Sequence, residues 1–226
     1  MRGGTKPTVL AWLLLSAAVA WLLLSGRRHL LPAARAAYLG LERSPAAFLL
    51  RLPGVQWLKS RVTHMPQSRV LTVTDALSAA GVSSWVAGGW GVDALIGHQT
   101  RRHYDLDLVV SDTGGNLERM ERVLARAGFR PGVREFNPGL AMPLRQAWQD
   151  DNGCTVEVMP VTLGTPPFTS GEPLFTAGVI GGHMVPCLSA RLQVTLHKGY
   201  AARVVDLTDM EALSAHVNRT EWAPPA

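Results

Sequence analysis

The chain has 226 residues, of which 47% are hydrophobic and 17% are charged, and its net charge is +5. This composition excludes a disordered chain and provides for one folded domain with an appendage. The positive charge favours an anionic partner, but many of the basic residues precede residue 62 and belong to the N-terminal third. Cys154 and Cys187 lack the spacing of a zinc site, so we expect them to be small buried hydrophobic residues.

An uncharged apolar run extends from Thr8 to Ser25. As a helix it would be ~27 Å long, close to the ~30 Å hydrocarbon core of a bilayer. Trp12 and Trp21 stand where interfacial anchors are expected. The sequence therefore predicts an uncleaved transmembrane anchor within residues 1–25. A secretory signal peptide is the alternative, although the run ends in Gly-Arg-Arg rather than at a small-x-small cleavage site.

A basic, proline-interrupted segment follows over residues 26–66. Because its arginines outnumber the basic residues before the run, the positive-inside rule places everything after residue 26 in the cytoplasm. We interpret the segment as a juxtamembrane region lying on anionic headgroups of the membrane. Nucleic-acid binding explains these arginines less well, since no aromatic residues alternate with them in a stable element.

The folded domain is predicted to occupy residues 67–217, followed by a tail at 218–226. Apolar spacing and glycine positions predict four elements in its first half. They are a helix over about 68–80, a strand over 83–89, a helix over about 90–97 and a strand over 104–110.

The second half of the domain contains one amphipathic helix and then mainly strand patterns. The helix covers about 115–127, with Gly128 as its C-cap. Two strands flank a hairpin turn at 151–153, two more occupy "FTAGVI" and "HMVPCL", and helices cover about 189–200 and 207–217. The predicted fold class is α/β (α+β), a small mixed β-sheet flanked by helices.

Asp105 and Asp107 are the first candidate site residues. Alternate residues of a strand share a face, with Cα atoms ~6.5–7 Å apart, so both carboxylates point the same way. Such a pair repels unless a cation lies between them, and Mg²⁺ prefers oxygen ligands of this kind. On its own, an Asp-x-Asp strand is also explained by a solvated sheet face.

Two other features support a phosphate-handling site. Gly88 and Gly89 lie where a strand enters a helix, and such a turn lets backbone N–H groups approach a phosphate closely. Glu157 is an acid within the otherwise apolar strand "TVEVMP". Beside the first strand it would be a third carboxylate, able to bind metal or to accept a proton from an attacking hydroxyl.

The stretch "GGWGVDALIGHQTRRHYDLDLVV", residues 88–110, resembles the signature of the polymerase-β-like nucleotidyltransferase superfamily. It is most similar to the branch of aminoglycoside 2″-adenylyltransferases and lincosamide nucleotidyltransferases. The matching positions are Gly88, Gly89, Trp90, Asp93, Gly97, Thr100, Arg101, His103, Asp105 and Asp107. The likeness covers about residues 68–215.

The resemblance implies roles for individual residues. Asp105 and Asp107 would bind two Mg²⁺ ions that carry the NTP phosphates, and Gly88 and Gly89 would cradle the triphosphate. Glu157 would be the third acid, as metal ligand, general base or both.

Other residues of the signature have roles that stay open. Arg101 and His103 would neutralise phosphate, although a structural pairing of Arg101 with Asp93 is an equal alternative. A stretch near the C-terminus resembles the helical tail of related small nucleotidyltransferases. The residues of this stretch that would approach nucleotide or acceptor are His197, Lys198, Tyr200, Arg203 and Asp206, and a surface or helix-pairing role is the alternative for each.

The function implied is transfer of AMP from ATP to a hydroxyl of a small molecule such as an aminoglycoside or lincosamide, with release of pyrophosphate. Transfer to tRNA or to a protein side chain is an alternative within the same class. A membrane-tethered domain that binds nucleotide without turnover is an alternative from another class, and the presence of all three carboxylates disfavours it.

Overall fold

The computed structural model describes residues 64–136, 142–169, 173–196 and 204–221. The predicted anchor and most of the predicted juxtamembrane segment lie outside these residues. Within the described ranges, no helix combines the length and apolar character needed to cross a bilayer. Residues 64–66 already belong to the compact unit, because Met65 is fully buried and its backbone N–H donates to the carbonyl of His103 at 3.0 Å.

Five helices and seven strands make up the described part of the chain. The helices are α1 (Gln67–Ala79), α2 (Gly88–Ile96), α3 (Asn116–Arg126), α4 (Ala190–Leu196) and α5 (Val204–Glu221). The strands are β1 (Ser84–Ala87), β2 (Asp105–Ser111), β3 (Arg130–Phe136), β4 (Leu144–Gln149), β5 (Thr155–Val161), β6 (Phe175–Ile180) and β7 (His183–Leu188).

All seven strands form one mixed sheet in the order β3-β4-β5-β2-β1-β7-β6. β2 pairs in parallel with β5 and β1 with β7, whereas the other neighbours are antiparallel. The predicted mixed sheet and the two predicted hairpins, β4–β5 and β6–β7, are therefore confirmed. Placing β5 directly beside β2 is what brings Glu157 to the aspartates.

The two faces of the central strands have different partners because side chains alternate along a strand. On one face, Leu106 and Leu108 of β2 belong to a core shared with α1 and α3. The other face of β2 presents Asp107 and, two residues further along, Val109. Val109 packs in a smaller apolar cluster that includes Leu192 of α4. This second face is charged at the start of β2 and apolar further along.

One strand and two helix boundaries differ from the sequence expectations. Strand β3 was not predicted, because "RPGVREF" has Pro and Gly and no apolar alternation, and all its residues are exposed. Helix α2 begins at Gly88 rather than after the glycine pair. Helix α5 extends to Glu221, so the predicted tail at 218–226 begins inside a helix.

Both cysteines are buried free thiols, as the sequence predicts. Burial raises the pKa of Cys187 to about 11. A thiol with so high a pKa carries little thiolate at neutral pH, so it acts as a small hydrophobic residue of the core.

Candidate active site

Strands β2 and β5 contribute three carboxylates to the lining of one cleft. Asp105 and Asp107 share a face of β2, and the parallel register places Asp107 opposite Glu157. Residues opposite each other in adjacent strands point their side chains to the same face of the sheet. The structure thus brings together the three acids that the sequence singled out.

Gly88 and Gly89 form the first turn of α2 and also line the cleft. Gly88 has φ +56°, and a Cβ built on it would overlap the carboxylate of Asp107. A Cβ on Gly89 would overlap His103 and the guanidinium of Arg101. The absence of side chains here lets the start of the helix lie against the carboxylate of Asp107.

We expect Gly88→Ala to lower catalytic turnover by at least about tenfold, because the methyl group must displace the Asp107 carboxylate. Gly114→Ala is the matched control: Gly114 has a similar φ of +63° but nothing within 4 Å of an added Cβ. Both variants carry the backbone strain, of order 1 kcal/mol, and only the first disturbs the site. Steady-state rates beside thermal unfolding separate the two effects. Equal loss of activity in both variants would contradict a role for this close approach.

Charges of both signs act on the carboxyl group of Glu157. Its pKa is raised, first by burial and then by the charge of Asp105, while Arg145 acts in the opposite direction. The guanidinium NH1 of Arg145 donates to Oε2 of Glu157 at 3.3 Å. A carboxylate with a raised pKa is a better proton acceptor than an ordinary one, which suits a general base.

Arg101 lines the cleft but is bound by an acid of the last helix. Its Nε and NH2 donate to the two carboxylate oxygens of Asp209 at 2.7 and 2.6 Å, a bidentate pair. Burial lowers the pKa of Arg101, but the hydrogen bond and charge of Asp209 outweigh burial and the net shift is upward. The structural pairing suggested for Arg101 therefore exists, but with Asp209 instead of Asp93.

His103 does not join the carboxylates in the cleft. It is 2% exposed, and its Nε2 forms a short hydrogen bond with Asp93. Asp93 also accepts from the Thr100 hydroxyl at 2.6 Å and from the Thr100 backbone N–H at 3.0 Å. The ring of His103 lies 4.6 Å from that of Trp90, and both Trp90 and Asp93 are buried. The His103 ring lies against Gly89 and supports the glycine turn.

The cleft is also lined by residues that were not predicted from the sequence. Met142, Arg145 and Met159 come from the β4–β5 side, and Gln193 comes from α4. Arg145 carried a weak signal, since it is a basic residue in the predicted strand "LRQAWQ". No sequence spacing indicated that α4 packs over this face.

The C-terminal residues divide into two groups. Asp206 lines the cleft, as suggested, and so does Asp209, which was not singled out. The other candidates, His197, Lys198, Tyr200 and Arg203, lie outside the described residues.

Comparison with known proteins identifies the family. The sequence model of the aminoglycoside-2''-adenylyltransferase family matches residues 69–213. The chain belongs to this family. It is accordingly a nucleotidyltransferase, and the matched region contains every element from β1 to β7.

Relatives of this nucleotidyltransferase include proteins named for antibiotics. It is 23% identical over 168 residues to a lincosamide resistance protein of Staphylococcus haemolyticus, covering 67% of this chain and 96% of that protein. It is 36% identical over 64 residues to a 2''-aminoglycoside nucleotidyltransferase of Klebsiella pneumoniae, covering 26% of this chain and 36% of that protein.

Solved structures show that the fold is shared. The lincomycin-bound lincosamide adenylyltransferase LnuA superposes with a TM-score of 0.55 at 20% identity, covering 68% of this chain and 99% of that one. ANT(2'')-Ia in complex with adenylyl-2''-tobramycin gives a TM-score of 0.54 at 17% identity, covering 69% and 91%.

Two carboxylates of this nucleotidyltransferase fit Mg²⁺ as ligands. Asp105 and Asp107 offer hard oxygen ligands on one face of β2. Among the described residues, no group of three or more His, Cys, Asp or Glu side chains is arranged to hold a metal ion. Glu157 as a third ligand stays a prediction. One or two carboxylates suffice where substrate phosphates complete the shell of Mg²⁺.

Proposed function

We propose that the chain transfers AMP from ATP to a hydroxyl of a small molecule, in a reaction that depends on Mg²⁺ and releases pyrophosphate. The observation that carries this proposal is the meeting of Asp105, Asp107 and Glu157 on one sheet face beside the Gly88–Gly89 turn. Family membership adds that the chain is a nucleotidyltransferase.

Each side chain has one task in this proposal. The N–H groups of the Gly88–Gly89 turn bind the triphosphate, and Asp105 and Asp107 hold the metal. When bound, Mg²⁺ neutralises phosphate charge and aligns the triphosphate. Glu157 accepts the proton of the acceptor hydroxyl as the new O–P bond forms at the α-phosphate. The bond from the α-phosphorus to its bridging oxygen breaks, and pyrophosphate leaves with the electron pair.

Arg101 and His103 stay candidates for nucleotide contact by family resemblance, but their surroundings favour support of the site. Arg101 is engaged by Asp209, and His103 by Asp93. We assign to both the task of fixing the glycine turn against α5 and β2.

For the acceptor we propose an antibiotic-like hydroxyl compound, either a lincosamide or an aminoglycoside. The supporting observation is that relatives and structural neighbours carry those substrates in their names. A tRNA end or a protein side chain is the second candidate within nucleotidyl transfer.

An acceptor screen tests the proposal. The full chain is incubated with Mg²⁺, ATP and separate pools of lincosamides, aminoglycosides, sugar metabolites and tRNA, and the products are read by mass. We expect an adduct of one nucleoside monophosphate in a small-molecule pool, absent when Asp107→Asn replaces the wild type. ATP binding without an adduct in any pool would favour the non-catalytic alternative.

We further propose that residues 8–25 anchor the chain in a membrane with the catalytic domain on the cytoplasmic side. The support is the uncharged apolar run and the arginines after it. We expect the full chain to stay in the membrane fraction after alkaline carbonate extraction and a chain lacking residues 1–25 to be released. Replacing residues 8–25 by an unrelated transmembrane helix should restore retention. Release of the full chain would contradict the anchor.

A further inference from the structure

Arg145 lines the cleft and contacts Glu157. It lies on β4, where Ala147 is opposite Glu157 and Arg145 is opposite Glu135. Because Arg145 is two residues from Ala147, its side chain points to the same sheet face as Glu157. The cleft is lined by both residues.

The positive charge of Arg145 is less fully paired than that of Arg101. Arg101 is neutralised by the bidentate pair with Asp209. Arg145 is held by one contact of 3.3 Å to Glu157, and within the described ranges its buried Nε has no hydrogen-bond partner. About a third of the Arg145 side chain is exposed, at 35%. A ligand in the cleft therefore meets this guanidinium.

The position of Arg145 decides which ligand it meets. In an in-line transfer the acceptor approaches from the side opposite the leaving pyrophosphate. Glu157, as proton acceptor, contacts the acceptor hydroxyl. Arg145 donates to Glu157, so it lies on the acceptor side of the reaction.

We propose that Arg145 is a specificity-determining residue that selects a hydroxyl acceptor whose groups beside the attacking oxygen are uncharged or anionic, and that disfavours polycationic acceptors. The inference rests on the proposed function and narrows it, because it separates lincosamide-like from aminoglycoside-like acceptors. The physical reason is like-charge repulsion between an ammonium group of the acceptor and the guanidinium in a partly desolvated site. This repulsion opposes the attraction that the carboxylates lining the cleft exert on a cation.

Titration of charged probes into the full chain tests this. Tobramycin serves as the polycation and lincomycin as the comparison probe, both added in the presence of Mg²⁺ and a non-hydrolysable ATP analogue. We expect Arg145→Gln to strengthen tobramycin binding about tenfold and to change lincomycin binding by less than about threefold. The gain should shrink as salt is raised.

Two further variants complete the experiment. Arg134→Gln is the matched control, because Arg134 belongs to β3, is exposed, does not line the cleft and contacts Gln146. It removes the same charge, and we expect it to leave both affinities within about twofold. Arg145→Lys keeps the charge, so we expect it to keep the wild-type discrimination even if Arg145→Gln fails to fold.

Several results would overturn the inference. They are an unchanged or weaker tobramycin affinity in Arg145→Gln, an equal gain in Arg134→Gln, and a loss of discrimination in Arg145→Lys. Transfer is measured separately on the same preparations. Absence of transfer contradicts the proposed function, whereas an unchanged affinity contradicts the role of Arg145.

Discussion

Asp105→Asn and Asp107→Asn are each expected to lower the rate of nucleotidyl transfer by at least about a thousandfold, because removal of one charge-stabilising group at a transferring phosphate costs about 4 kcal/mol or more of transition-state stabilisation. Both carboxylates line the cleft, and Asp107 also lies against Gly88, where no Cβ fits. An amide keeps the size of the side chain and removes the charge that holds a metal.

The loss should appear in chemistry rather than in folding. We expect the thermal unfolding midpoint of either variant to stay within a few degrees of wild type or to rise, since two like charges are relieved. Asp75→Asn is the control, because Asp75 is an exposed carboxylate on α1, and it should keep full activity. Rates of pyrophosphate release in all three variants make the comparison. Wild-type transfer in Asp105→Asn or Asp107→Asn would refute the proposed metal site.

Glu157→Gln is expected to lower kcat by about 10²- to 10⁴-fold with little change in the KM for ATP. Glu157 accepts from Arg145 at 3.3 Å and lies opposite Asp107. Its amide replacement retains the contact with Arg145 but cannot take the proton of the acceptor hydroxyl. Single-turnover rates beside ATP binding separate the two quantities. If kcat is unchanged and the KM for ATP rises by the factor predicted for the fall in kcat, Glu157 belongs to nucleotide binding instead.

The pH dependence follows from the same carboxyl group. Burial and the charge of Asp105 raise the pKa of Glu157. A general base works when it is deprotonated, so kcat/KM, which reports the free enzyme, should fall as pH falls through this raised pKa, at higher pH than for an ordinary glutamate. In Glu157→Gln the remaining activity should lose this acid limb. An unchanged acid limb would place the titrating group elsewhere.

Local pattern predicted much of the fold. Alternating residues identified β2 and β5, the Asn-Gly turn identified the β4–β5 hairpin, and glycine positions marked the end of α1 and of α3. Strand β3 escaped prediction because it has no buried side chains and is stabilised by backbone pairing with β4. Pairing of that kind leaves no trace in hydrophobic spacing.

The candidate site was likewise predictable only where its residues are close in sequence. Asp105, Asp107 and the glycine pair are close in sequence, so strand geometry was enough to place them together. Arg101 pairs with Asp209 across 108 residues, and Arg145 reaches Glu157 only through the register of two strands. His103 was expected at the phosphates, but Asp93 binds it in the interior. Contacts that depend on the packing of distant elements are not readable from spacing alone.

The position of isotopic label tests the central claim most directly. The full chain is supplied with Mg²⁺ and with ATP labelled at either the α- or the γ-phosphate, together with the acceptor found in the screen. Transfer of AMP from ATP predicts α-label in the acceptor and γ-label in pyrophosphate, both lost in Asp107→Asn. Transfer of γ-label to the acceptor, or α-label transfer that persists in Asp107→Asn, would contradict it.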